Sequence, residues 1–206
     1  MVIAELPYEE RWSTDAIEEC KELWNLTQEE TSQLVEFKER IADVHHWKND
    51  PFEVIRFLKE FKFHFKTTEH KFRASMEWRL EHKADTILEE YTPPRLYNYF
   101  PMGVICGADH DGDPIYIERS GAADTLGLLH RFGRDEMIQQ AIWGRELMTR
   151  GPWIQGRPKG RVRHFVAILD LKGLNRHHLS PHLMPIGQQV TRLVQDNYPG
   201  FGKVCF

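Results

Sequence analysis

The sequence predicts an α/β fold in which a helical N-terminal part precedes an α/β domain. Apolar residues recur at helical spacing as far as about residue 92, where Pro93-Pro94 interrupts the pattern. Short runs rich in β-branched residues follow at 104–106, 115–117 and 164–171. A helical pattern separates the second run from the third, and this order is typical of a sheet covered by helices.

The N-terminal part is expected to contain a tail and three helices. Residues 1–26 are acidic and only weakly helical in pattern, so we expect them to fray. Thr27 and Glu30 form a Thr-x-x-Glu capping box, which predicts the start of the first helix. Asp50-Pro51 predicts the second start, since an N-cap residue followed by proline suits a helix N-terminus. The third helix is expected to begin near residue 67 or 68.

The C-terminal part is expected to hold a hairpin, a helix, an interior strand and a last helix. The Asp111-Gly112 pair lies between two β-branched runs and predicts a hairpin turn. Residues 135–149 return to helical spacing. The run at 164–171 is apolar without alternation, which indicates a strand buried on both faces. Ser180-Pro181 predicts the start of the last helix, which Pro185 is expected to bend or delay, and 202–206 resemble the beginning of another strand.

Composition excludes several classes of protein. The chain has 27 Lys+Arg and 31 Asp+Glu, a net charge of −4, which excludes a broadly basic nucleic-acid-binding surface. Its 3 cysteines are far apart, so neither a disulfide framework nor a Cys-x-x-Cys metal site is expected. The longest apolar run, 165–169, is much shorter than the ~20 residues of a membrane helix. With no secretory signal visible, we expect a cytoplasmic location. Peripheral contact with membranes is expected only through the basic loop described below.

Two clusters could ligate a metal ion, and we expect neither to do so. Asp109, Asp111 and Asp113 alternate as calcium ligands can, but the position of Gly112 and the flanking strands do not fit a calcium-binding loop. A plain hairpin turn is therefore favoured. The histidines at 177, 178 and 182 are interrupted by Ser-Pro, and no cysteine or carboxylate completes a ligand set.

Enzymatic chemistry is not expected, and no cofactor is implied. The sequence has no phosphate-binding loop, no nucleophile elbow and no dinucleotide fingerprint. Asp170 follows the interior strand, where active sites of α/β folds lie, and an enzyme using it with the three histidines is the alternative. Pairing of Asp170 with Lys172 or with the backbone is favoured. A basic loop contains Arg157, Lys159, Arg161 and Arg163, and it is either solvated or in contact with an anionic membrane.

Seven blocks of sequence, taken together, resemble one family. The helical part contributes 54–59 (Val-Ile-Arg-Phe-Leu-Lys), 62–63 (Lys-Phe), 77–79 (Glu-Trp-Arg) and 85–88 (Asp-Thr-Ile-Leu). The α/β part contributes 111–116 (Asp-Gly-Asp-Pro-Ile-Tyr), 168–174 (Ile-Leu-Asp-Leu-Lys-Gly-Leu) and 195–199 (Gln-Asp-Asn-Tyr-Pro). In order and spacing, from about Asp50 to Lys203, these blocks resemble the CRAL-TRIO family, which includes the yeast-type phosphatidylinositol/phosphatidylcholine transfer proteins.

The resemblance implies a fold and a function. It implies a helical CRAL-TRIO N-terminal domain at 27–92, after the tail at 1–26, and a lipid-binding domain at 93–206. It also implies binding and intermembrane transfer of a phospholipid or other small hydrophobic lipid, with a transient membrane surface as partner and no covalent chemistry. The strands at 114–119 and 164–170 would form the pocket floor. The implied lipid-binding residues are Tyr116, Ile117, Glu118, Phe165, Ala167 and Leu169, together with Lys62.

Two departures from the family pattern affect these expectations. The first residue of a basic pair that helps bind inositol phosphate is Phe61 here, and only Lys62 remains; the strand position of a phosphate-binding Ser or Thr is Phe165 or Ala167. Phosphatidylinositol specificity is therefore in doubt. The match also stops in the strand at 202–206, so an incomplete lipid-binding domain is expected. The alternative is a truncated chain that acts as a protein-interaction module or an inactive remnant.

Overall fold

The computed structural model describes residues 6–95, 104–150 and 163–205 of the chain. The elements in the first range are α1 (Tyr8–Arg11), α2 (Thr14–Trp24), α3 (Gln28–Arg40), α4 (Pro51–Glu60), α5 (Phe65–Glu81) and α6 (Ile87–Glu90). The others are β1 (Val104–Ala108), β2 (Pro114–Glu118), α7 (Thr125–Phe132), α8 (Arg134–Arg150), β3 (Phe165–Leu169), α9 (Met184–Asn197) and β4 (Gly202–Cys205). The predicted α/β fold is confirmed. Among the described helices, none is both long and apolar enough to cross a bilayer.

The chain divides into two compact units, residues 1–78 and 79–206. In the N-terminal unit, the helix starts predicted at Thr27 and at Asp50-Pro51 are confirmed. The third helix, α5, begins at Phe65, before the predicted start near residue 67 or 68. The hydroxyl of Thr27 accepts from the N–H of Glu30 at 3.1 Å, and the Glu30 carboxylate accepts from the N–H of Thr27 at 2.9 Å. The Asp50 carboxylate accepts from the N–H groups of Phe52 and Glu53. These caps satisfy N–H groups that have no partner within their helices. The predicted domain boundaries stay predictions.

Residues 8–24 differ from the expectation that they fray, because α1 and α2 lie within them. Trp12 and Cys20 are buried in the core of this unit. The indole N–H of Trp12 donates to the backbone oxygen of Asn49 at 2.9 Å. The segment is thus held by tertiary packing, which its weak helical pattern does not reveal.

The C-terminal unit is built on one sheet of order β1-β2-β3-β4. β1 and β2 are antiparallel, with Val104 opposite Ile117, so the hairpin at Asp111-Gly112 is confirmed. β3 pairs in parallel with β2 and with β4. The prediction that this strand is interior to the sheet is therefore confirmed. The prediction that both of its faces are buried is wrong, because Ile168 is 37% exposed.

A buried ion network joins the helices of the C-terminal unit. Glu146 on α8 is fully buried, and its carboxylate lies 2.9 Å from the guanidinium of Arg79 and accepts from the guanidinium of Arg150. The hydroxyl of Tyr198, just after α9, donates to the same carboxylate at 2.6 Å. Asp85 accepts from Arg79 at 2.6 Å. Burial alone would lower the pKa of Arg79, but Glu146 and Asp85 raise it above its ordinary value.

Candidate functional site

The register of β2 against β3 sorts their side chains onto two faces. Tyr116 lies beside Ala167, and Glu118 lies beside Leu169. Residues paired in a parallel sheet point to the same side, and successive residues alternate. The covered face, as we call it, therefore consists of Tyr116, Glu118, Phe165, Ala167 and Leu169. The open face consists of Ile115, Ile117, Val166 and Ile168.

The covered face carries five of the seven predicted lipid-binding residues. Of the other two, Ile117 lies on the open face and Lys62 belongs to the N-terminal unit. On the covered face, Phe165 and Ala167 are buried. The guanidinium carbon of Arg145, on α8, lies 5.7 Å from the centre of the Phe165 ring. Side chains of this face are thus occupied by contacts within the protein.

The open face is apolar and only partly covered. Ile168 is 37% exposed. Ile115, Ile117 and Val166 are half-buried. Ile117 is the one predicted site residue on this face, and its neighbours Ile115, Val166 and Ile168 were missed by the sequence reasoning. The missing signal is the pairing register, which decides which residues share a face with Ile117.

A polar cluster lies at the carboxyl end of β2. The Tyr116 hydroxyl donates to Glu118 at 2.8 Å, and the Ser120 hydroxyl donates to the other Glu118 oxygen at 2.7 Å. Burial, followed by the charge of Glu118, raises the pKa of Tyr116 well above its ordinary value. The tyrosine is therefore a neutral donor whose proton is already directed at Glu118. A lipid headgroup can therefore donate a hydrogen bond to the Tyr116 hydroxyl oxygen. It can accept a hydrogen bond from that hydroxyl only if it displaces Glu118.

The strand ends are joined by close backbone packing. The N–H of Gly121 donates to the oxygen of Asp170 at 3.1 Å, extending the contact between β2 and β3. A Cβ atom on Gly121 would lie 2.5 Å from the oxygen of Lys172, so only glycine fits there. The Asp170 carboxylate accepts from the N–H of Lys172 at 2.9 Å and lies 3.7 Å from Arg119. The predicted backbone pairing of Asp170 is thus confirmed.

The aspartates of the hairpin are used by the turn. Asp109 Oδ1 accepts from the N–H groups of Asp111 and Asp113, each at 2.9 Å. Asp113 also faces His164 at 3.7 Å and Arg163 at 3.9 Å. Burial tends to raise the pKa of Asp113, but the His164 contacts and Arg163 lower it overall. Oxygens of the three carboxylates lie within 4.8 Å of one another, and the turn contacts account for this proximity.

The histidine cluster is also structural in part. The N–H of Asn175 donates to Nδ1 of His178 at 3.2 Å. Its Nε2 is therefore protonated and donates to the oxygen of Ala123 at 2.8 Å. Both ring nitrogens of His178 are engaged, which leaves no lone pair for a metal ion.

The remaining predicted cations lie elsewhere. Lys62 is exposed in the turn between α4 and α5, at φ +51°, and belongs to the N-terminal unit. Of the basic loop, Arg157, Lys159 and Arg161 lie outside the described residues. Arg163 lies 3.6 Å from Asp111, so this cation is paired with the hairpin.

Comparison with known proteins identifies relatives of the chain. The CRAL/TRIO domain model matches residues 101–206. The chain is 32% identical over 184 residues to "Protein real-time" of Aedes aegypti, and 32% identical over 187 residues to the Anopheles gambiae protein of that name. These alignments cover 86% and 87% of the chain but only 28% and 27% of the relatives. A solved structure titled "Crystal structure of Sfh5" superposes with a TM-score of 0.60 at 14% identity, covering 94% of this chain and 70% of that one.

Proposed function

The chain belongs to the CRAL/TRIO domain family, and we propose on that basis that it binds one lipid or other small hydrophobic molecule and carries it between membranes. The observation that supports this most directly is the open face of the sheet. Four apolar side chains from two paired strands lie there, only partly covered by the described residues. Such a surface gains free energy by meeting an apolar ligand, at about 0.8 kcal/mol for each buried CH₂ group.

The proposed site differs in one respect from the set that the resemblance implies. We propose that Ile117 and its open-face neighbours Ile115, Val166 and Ile168 contact the acyl or isoprenoid chain. Tyr116 and Glu118 would lie behind that surface and hold the carboxyl end of β2 in shape through their hydrogen bond. Direct contact of the covered-face residues, or of Lys62, with a lipid stays a prediction.

The proposed mechanism has no covalent step. The protein would dock on a membrane, take up a lipid whose chain lies along the open face, and release it at a second membrane. Phe61 replaces a cation that binds inositol phosphate in the family, so the apolar part of the ligand would supply most of the binding energy. We therefore propose selection by chain shape more than by headgroup.

Native mass spectrometry of the purified chain tests this function. The wild-type protein should carry one lipid-sized mass. Ile117→Gln and Ile168→Gln should each reduce the occupied fraction about tenfold, because each places an amide against the ligand chain. Val35→Gln, at another exposed apolar position, is the matched control and should leave occupancy unchanged. Wild-type protein without bound lipid, and without lipid transfer between vesicles, would contradict the proposal.

A further inference from the structure

Residues 171–184, which we call the rim segment, connect the end of β3 to the first residue of α9. Eight large apolar residues are exposed among the described residues, and four of them lie in this segment. They are Leu171, Leu174, Leu179 and Met184, with exposed fractions of 54%, 45%, 63% and 46%. Exposed apolar residues are ordinary when scattered singly, but a concentration of them indicates an interaction surface.

The rim segment is an ordered chain of turns. Backbone hydrogen bonds close successive turns, from Leu174 N–H to Leu171 O at 2.9 Å through to Leu183 N–H to Ser180 O at 3.0 Å. The segment is anchored by the His178 side chain, bonded to the oxygen of Ala123, and by Leu183, which is buried. The leucines are thus presented to solvent on a fixed backbone, and little conformational entropy would be lost when they are buried by a partner.

The charge of the rim segment has one sign. It contains Lys172 and Arg176, both exposed, and its sequence has no Asp or Glu. The nearest carboxylate along the chain, Asp170, is occupied by Arg119 and by a backbone N–H. Asp124, next to the Ala123 anchor, caps α7 through the N–H of Gly127. Both carboxylates thus have hydrogen-bond partners of their own, and the charged side chains within the rim segment are all cationic.

We propose that the rim segment is the surface with which the chain docks on an anionic lipid bilayer. Exposed leucines between cations are typical of interfacial segments, in which apolar side chains enter the bilayer and cations meet the headgroups. A second copy of this chain is less suited, since a two-fold contact would bring like charges together. The inference rests on the proposed function, because a lipid carrier has to meet a membrane, and it names the part of the chain that does so.

Cosedimentation with vesicles tests the docking surface. The chain should bind vesicles of phosphatidylcholine with phosphatidylserine more tightly than vesicles of phosphatidylcholine alone. Leu174→Gln and Leu179→Gln should each weaken binding about tenfold or more. Lys172→Gln and Arg176→Gln should each weaken binding to the anionic vesicles about fivefold.

Matched controls lie outside the rim segment. Leu80→Gln replaces an exposed leucine of α5, and Arg192→Gln replaces an exposed arginine of α9. Neither should change vesicle binding. Equal losses in controls and rim variants would overturn the proposal, as would equal binding to the two kinds of vesicle. Self-association that Leu179→Gln abolishes would also overturn it, because the segment would then be an interface between copies of the chain.

The same proteins, measured by native mass spectrometry, separate this proposal from the proposed function. Rim variants that keep their bound lipid but lose vesicle binding support the docking surface. A wild-type chain that carries lipid and yet binds neither kind of vesicle overturns the docking surface and leaves the lipid site standing. A chain that binds anionic vesicles through the rim segment but carries no lipid contradicts the lipid site alone.

Discussion

Replacing Glu146 by glutamine tests the buried ion network of the C-terminal unit. One carboxylate oxygen faces Arg79 at 2.9 Å and accepts from the Tyr198 hydroxyl at 2.6 Å, while the other accepts from Arg150. Glutamine has one acceptor oxygen in place of two. Its NH₂ group must therefore face either Arg150 or the pair formed by Arg79 and Tyr198, all of which are donors. Two arginine cations would also lose the negative charge that compensates them. Breaking a buried ion pair in this way costs about 3–5 kcal/mol.

Urea unfolding followed by circular dichroism measures this loss. With a slope of about 2 kcal/mol per molar urea, the midpoint of the transition of the C-terminal unit should fall by about 1.5–2.5 M. Tyr198→Phe removes one hydrogen bond and leaves the charges paired, so its effect should be smaller, about 1.5–3 kcal/mol. Glu89→Gln, at an exposed glutamate of α6, is the control. A midpoint for Glu146→Gln equal to that of this control would refute the reasoning.

Four further substitutions are expected to alter stability, each measurable as a shift of the urea midpoint. Thr27→Ala removes the cap of α3 and should cost about 1 kcal/mol, and an unchanged midpoint would mean that the cap contributes nothing. Gly121→Ala forces backbone apart at the strand ends and should cost about 1–3 kcal/mol, whereas Gly144→Ala, in open space on α8, should stabilise by up to about 1 kcal/mol. Asp113→Asn should lower stability at neutral pH, because the pKa of Asp113 is depressed in the folded protein. The stability that this carboxylate supplies is present above its unfolded pKa of about 3.9 and is lost as the pH falls through the lower folded value, so the difference from wild type should shrink in acid.

The sequence predicted those helix starts and turns that are determined by residues close together in the chain. The capping box at Thr27 and the Asp111-Gly112 turn need only residues close by in the chain, and both are present in the structure. The interior position of β3 followed from its unbroken apolar run. By contrast, the helices at 8–24 depend on contacts such as that of Trp12 with Asn49, 37 residues away, which no local pattern reveals.

For a related reason, the sequence could not predict which residues of β2 and β3 lie on which face of the sheet. A strand that is apolar on both sides has no alternation, so its sequence does not say which of its residues lie on the covered face and which lie on the open face. The set predicted from the resemblance therefore mixed Ile117 with covered-face residues such as Tyr116 and Phe165. Only the pairing of β2 with β3 separates them.

The two faces of the sheet differ in their content of β-branched residues, and this difference affects how rigid each face is. The open face is made entirely of β-branched residues, Ile115, Ile117, Val166 and Ile168, whereas the covered face has none. Side chains branched at Cβ are restricted at χ1, so they keep their positions even where no neighbour packs against them. A wall of such residues is shaped before a ligand arrives and loses little entropy when the ligand binds. Flexible side chains would instead collapse over an unfilled face, which is why β-branched residues suit the lipid-contacting role proposed for the open face.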